Sequence, residues 1–111
     1  MDIVFCTGQL RKDCNDSKRR IRRYGTDEAK VIAQRLDDLS AANTLEDLRN
    51  LGGRPHELSG KKAGQLSLDL RGPRRLVLIP AHDPPPRKEE GGLDWAQVTA
   101  VEIVGIEDTH G

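Results

Sequence analysis

The chain has 111 residues, 35% apolar and 32% charged, which fits one domain with a thin core. Phe5, Tyr24 and Trp95 are its only aromatics, so the core must be aliphatic, and a base-stacking platform for single strands is argued against. Eighteen basic side chains balance eighteen acidic ones, so bulk charge names no partner, although residues 1–62 lean basic and the remainder acidic.

Cys6 and Cys14 have no second pair and no histidine nearby, which is neither a zinc pattern nor a disulfide framework. The opening "MDIVFC" lacks a basic n-region and a long apolar h-region. No stretch approaches the roughly 20 apolar residues of a membrane span. The expectation is a cytoplasmic protein with reduced thiols and no membrane partner, with Cys14 as a small core residue on a helix.

In chain order, "DIVFC" predicts an opening strand over residues 2–6. Leu10, Cys14 and Ile21 then fall on one helical face, with Ser17 in the gap, and Gly25 predicts the helix stop. Thr26 is the expected N-cap of a second helix, with Asp27 and Glu28 in its first turn and an apolar stripe of Ala29, Ile32, Leu36 and Leu39. "NTLEDLRNLGG" predicts a brief third helix, capped by Thr44, boxed by Asp47 and ended by Gly52-Gly53.

The period then changes. "HEL" and "SGKKAG" predict a short strand and a hairpin connection. In "GQLSLDL", Leu66, Leu68 and Leu70 alternate with Gln65, Ser67 and Asp69, a half-buried strand. "RRLVLIP" predicts the next strand, stopped by Pro80. Residues 81–95, "AHDPPPRKEEGGLDW", are a Pro- and Gly-rich surface loop in which His82 is expected to be inert. "QVTAVEIVGIED" reads as a strand inside the sheet, covered on both faces. The expected architecture is a single α+β domain over residues 1–111, with an N-terminal strand and two main helices packed on an antiparallel-rich sheet of four to five strands.

Two groups of residues offer chemistry. "SKRRIRR" puts Lys18, Arg19, Arg20, Arg22 and Arg23 in the last turns of the first helix, where the dipole favours cations. The ridge is either a solvated helix end or a grip on nucleic-acid phosphates, which needs no sequence choice. The second group surrounds the sheet. Arg54, Arg71, Arg74 and Arg75 bracket it, Lys61 and Lys62 occupy the hairpin, and His56 lies beside Arg54. The last strand delivers Asp108 and His110, two residues apart, to one end of the sheet. An imidazole can take or give a proton near neutrality, and a carboxylate can orient it. Guanidinium forks match phosphate oxygens. Such a set suits phosphodiester cleavage without a metal, and the acids are scattered rather than at ligand spacing. No cofactor is expected.

The stretch "RLDDLSAANTLEDLRNLGGRPHELSGKKAGQLSLDLRGPRRLVLIP", followed by the ending "IEDTHG", resembles the HigB branch of the RelE/ParE superfamily of plasmid-maintenance killer toxins. The resemblance rests on an R-x-H-x-L-x-G segment, a G-Q-x-S-x-D-L strand, the R-L opening of the next strand and the acidic, histidine-bearing ending, in that order. It implies a compact α+β toxin that cleaves mRNA in the ribosomal A site. It also implies a cognate HigA-like helix-turn-helix antitoxin as partner, with operator DNA reached only through that antitoxin. His56, Asp108, His110 and Arg75 are the catalytic residues so implied. Arg54, Lys61, Lys62 and Arg74 join Arg19, Arg20, Arg22 and Arg23 as contacts to RNA phosphates. Thr109 departs from the family pattern, which has a tyrosine there, and a threonine cannot stack on a base. Two further readings stand beside the ribonuclease: a ParE-like gyrase poison of the same fold, and a degenerate module kept for binding its antitoxin.

Overall fold

The leucine alternation of "GQLSLDL" becomes a strand, Leu66–Asp69, in the computed structural model of the protein, which describes residues 1–108. Five strands form one sheet: β1 (Asp2–Phe5), β2 (His56–Glu57), β3 (Leu66–Asp69), β4 (Arg74–Pro80) and β5 (Ala100–Asp108). Their order across the sheet is β1-β5-β4-β3-β2. β1 runs parallel to β5, and the other neighbours are antiparallel. The expected α+β architecture is therefore present, and the last strand does lie inside the sheet.

One face of that sheet is apolar and covered by helix α3 (Thr26–Ala41). Leu66 and Leu68 of β3 pair with Leu78 and Leu76 of β4, so all four side chains project to the same side. There they pack with Ile32 and Leu39 of α3 and with Leu45 and Leu48 of the 3₁₀ helix Leu45–Asn50. All eight are at most 1% exposed. Each such burial contributes about 1.5–3 kcal/mol, so this layer supplies most of the driving force. The carboxylate of Asp47 accepts from the backbone N–H of Thr44, as the expected capping box requires.

The first helix departs from expectation. It breaks at Asp16 into α1 (Gly8–Asn15) and α2 (Ser17–Tyr24). Asp16 is extended, at φ −97° and ψ 119°, and its side chain accepts from the backbone N–H of Arg19. An Asn-Asp-Ser run favours starting a new helix over continuing an old one. That N–H bond holds the Asp16 carboxyl below its ordinary range. The rotation leaves Ile21 44% exposed instead of on the core stripe with Cys14. Gly25, at φ 86°, ends α2 and also takes the N-cap place expected of Thr26.

β5 carries an irregularity with consequences for its end. Leu78 pairs with Ile103, yet Val77 pairs with Gly105, so Val104 is an extra residue, a β-bulge. Ile103 and Ile106, three apart, thereby both reach the helix-bearing side. Only Val101 and Ile103 of β5 are fully buried, so the strand is covered on one face rather than on two.

His82 is not idle in the Pro-rich loop. Its Nε2 accepts from the backbone N–H of Thr99 at 3.0 Å and ties the loop to the entry of β5. Trp95 is buried under the Arg49 guanidinium, 3.9 Å above its ring, and donates to Glu57. No helix among the described residues is long and apolar enough to cross a membrane.

Candidate functional site

The face of the sheet opposite α3 gathers the polar alternates of the same strands. His56 pairs with Ser67 and Asp69 with Arg75 across β2, β3 and β4, and Arg75 pairs with Glu107 of β5. Residues directly opposite one another share a face, so His56, Ser67, Asp69, Arg75 and Glu107 lie on one side of the sheet.

The imidazole of His56 is held at both nitrogens. Nδ1 lies 3.0 Å from the Arg54 carbonyl, and Nε2 lies 3.1 Å from Ser67 Oγ. A carbonyl can only accept, so Nδ1 carries a hydrogen; in the neutral ring Nε2 then accepts from the Ser67 hydroxyl. His56 itself is exposed, whereas Ser67 is fully buried.

Among the described residues, Arg54 is the non-glycine residue with a positive φ, 45°, and it precedes a proline. Such a conformation costs about 1–3 kcal/mol and persists only where neighbours hold it. Two contacts do so here. The Arg54 carbonyl meets His56, and its Nε donates to Asp69 Oδ2 at 2.6 Å. Gly53 is needed at the same place. At φ 94°, a Cβ on it would lie 2.8 Å from Cδ and Nε of Arg35, whose guanidinium donates to the Asp69 carbonyl. The Gly52-Gly53 pair, read in the sequence as a helix stop, thus also lets this loop close over Arg35.

Asp69 is the node of the charge pattern. Its Oδ1 lies 3.0 Å from Arg75 Nε, while Oδ2 takes Arg54. Arg75 Nη1 donates to the carbonyls of Gly72 and Arg74 as well, and its side chain is only 15% exposed. Arg75 is thus built into the sheet and presents little of its fork outward. Arg54, 81% exposed, presents much more. Lys62 ion-pairs with Glu107 at 2.9 Å, so the turn Gly60–Lys62 reaches across β3 and β4 to β5. Lys61, beside it, is exposed.

The remaining expected site residues are not gathered here. Arg74 pairs with Asp108, next to the pair of Leu76 with Ile106, so strand alternation puts Arg74 and Asp108 on the helix-bearing side. The Arg74 guanidinium lies 5.6 Å from the centre of the Tyr24 ring. Asp108 and His56 therefore occupy opposite faces of the sheet, although the sequence groups them in one site. His110 lies outside the described residues.

The basic ridge divides too. Arg19 pairs with Asp13 at 3.0 Å, and Arg20 donates to the carbonyls of Cys14 and Ala29, so both fasten α2 to its neighbours. Arg22 and Arg23 are exposed and, with Gln9, Asp13 and Arg19, line a cavity of about 310 Å³. Arg11 and Lys12 of α1 line an adjoining one with Arg19. These two were not singled out in the sequence, because the break that turns α1 beside α2 was not foreseen. Among the described residues no group of three His, Cys, Asp or Glu side chains is placed to hold a metal ion.

No protein-family model matches the chain, and no curated protein matches it in sequence. Solved structures do resemble it. The YoeB–YefM complex from Staphylococcus aureus matches with a TM-score of 0.55 at 17% identity, covering 96% of this chain and 94% of that one. A YoeB dimer from the same organism matches at 0.54 and 18% identity, with the same coverage. A YoeB/ParE toxin from Agrobacterium tumefaciens matches at 0.55 and 13% identity, covering 99% of this chain and 100% of that one. The chain has the fold of the YoeB and ParE toxins.

Proposed function

We propose that the protein is the toxin of a type II toxin–antitoxin system and a ribosome-dependent endoribonuclease that cleaves mRNA by acid/base chemistry. The observation that carries this reading is the fixed imidazole of His56 beside the outward guanidinium of Arg54, on the polar sheet face of a YoeB/ParE-type fold. A base takes the proton of a ribose 2′-hydroxyl, that oxygen attacks phosphorus, and the 5′-oxygen leaves with a proton from an acid. His110 is the acid–base group in this scheme, with Asp108 beside it. Asp108 lies on the opposite face of the sheet from His56 and so does not act on that imidazole.

His56 orients the phosphate or transfers the second proton. Arg54 and Lys61 stabilise the charge on it, and Arg75 acts mainly by holding Asp69. Arg22 and Arg23 grip RNA backbone at the helical corner, with Lys62 free to join the phosphate group only when its pair with Glu107 opens. The partner is an antitoxin of helix-turn-helix type, which alone touches operator DNA; the place of action is the bacterial cytoplasm.

Induced expression tests the reading. The native chain is expected to arrest growth with cleavage of ribosome-bound mRNA. His56→Ala and His110→Ala are expected to lower cleavage by about 10²-fold or more. Arrest without mRNA cleavage, and with DNA damage instead, would favour a gyrase poison of the same fold.

A further inference from the structure

The geometry points to Ser67 as a positioning residue for His56. Resting on the ribonuclease reading above, it adds a role for a residue to which that reading gives none. The starting point is a burial that alternation does not explain. Ser67 stands among the outward alternates of β3, yet its exposure is 0%, and Val77, its partner on β4, is buried as well. A buried hydroxyl needs a partner, and among the described residues the one Ser67 Oγ has is His56 Nε2, 3.1 Å away.

Hydrogen-bond chemistry makes this partner useful. The Arg54 carbonyl fixes the hydrogen on Nδ1, so Nε2 is the nitrogen whose state changes on protonation. A hydroxyl can donate to a bare Nε2 and, after turning about Cβ–Oγ, accept from Nε2–H. Ser67 therefore keeps a hydrogen bond to the ring in both charge states, and the imidazole takes up or releases a proton without leaving its place. A carbonyl could not accept from one form and donate to the other, and an ammonium could not accept at all. Because Ser67 is buried it acts through His56 and does not touch RNA itself. The groups facing the ring are the Arg54 backbone, Ser67 and, one pair further along the same face, Asp69 with its two guanidinium partners. Asp69 fixes the loop that supplies the Arg54 carbonyl, so the ring is held from β3 twice.

The test compares Ser67→Ala, which deletes the hydroxyl, with Ser67→Thr, which keeps it. Nitrogen and proton NMR of the imidazoles, assigned with His→Gln variants, follows the Nε2 hydrogen bond and the ring mobility of His56 without reference to activity. Ser67→Ala is expected to move the His56 Nε2 signal to that of a nitrogen bonded to water and to free the ring to move, and Ser67→Thr is expected to restore both. Cleavage of mRNA on programmed ribosomes is expected to fall about five- to tenfold in Ser67→Ala. No further loss is expected when Ser67→Ala is added to His56→Ala. An unchanged Nε2 signal in Ser67→Ala, or the same change in Ser67→Thr, overturns the assignment, as does a full additional loss on the His56→Ala background. If His56→Ala alone leaves cleavage intact, the ribonuclease role of His56 falls, while the Nε2 signal still decides the Ser67 contact.

Discussion

The two faces of β3 and β4 are made by neighbouring residues of the same few strands, yet they behave as different materials. On the side of α3, Leu66, Leu68, Leu76 and Leu78 form a dry layer with almost no exposure. On the other side, His56 meets the Ser67 hydroxyl and the Arg54 carbonyl, and Asp69 ion-pairs with Arg54 and Arg75. The first face gains from area, which tolerates shape changes; the second depends on lone pairs and hydrogens being in particular places. Stability and chemistry are thereby interleaved at a spacing of one residue.

The largest expected effect breaks the dry face. Leu76→Ala should lower unfolding free energy by about 2–5 kcal/mol in a denaturant titration, because it leaves a cavity between β4 and α3. A loss under about 1 kcal/mol would mean that the leucine layer is not the main support. A smaller effect sharpens the comparison through pH. Burial, with the Asp13 charge, pushes the Cys14 thiol from 9.0 up to about 11. A thiol whose folded pKa is raised favours the folded state below the unfolded value and loses that contribution as pH rises through the folded one. Stability should therefore decline between about pH 9 and 11, and Tyr24, raised by burial as well, works in the same direction. At pH 8, alkylation followed by mass spectrometry should label exposed Cys6 well before buried Cys14. A flat curve in the native chain, or an equal decline in Cys14→Ala, would remove the thiol as the cause.

The smallest stability effect belongs to the helical corner. Arg22→Gln with Arg23→Gln should change unfolding free energy by no more than about 0.5 kcal/mol, since both stand exposed. Their effect should be seen in ribosome association measured against salt, with a shallower slope in the double variant. Equal slopes would reduce the corner to a solvated helix end.

Much of the fold was legible. Period-2 leucines announced β3, the "RRLVLIP" run stopped by Pro80 announced β4, and the Thr44–Asp47 box announced the turn before them. The break at Asp16 was missed because Leu10, Cys14 and Ile21 satisfy a helical period on paper, and periodicity does not register a capping residue inside a run. The candidate site was legible in part. His56 and Arg54 stood out by type and proximity, and they do meet. Ser67 did not, because a serine at an outward alternate reads as solvent-facing; only the tertiary cover over β3 gives it a role. The side on which Asp108 ends was not legible either, since pairing register follows from a bulge that composition does not mark.

That bulge has a further meaning. One supernumerary residue at Val104 acts as a phase shifter for everything downstream on β5. Ironed out by sliding the strand a single step, the pairing would turn Ile106 outward and bring Glu107 opposite Arg74, stranding Lys62 without its carboxylate. The identity of the acid that greets each cation at this rim is therefore written in a count of residues, not in the acids themselves, and a one-codon change upstream can rewire it while leaving every charged side chain in the chain.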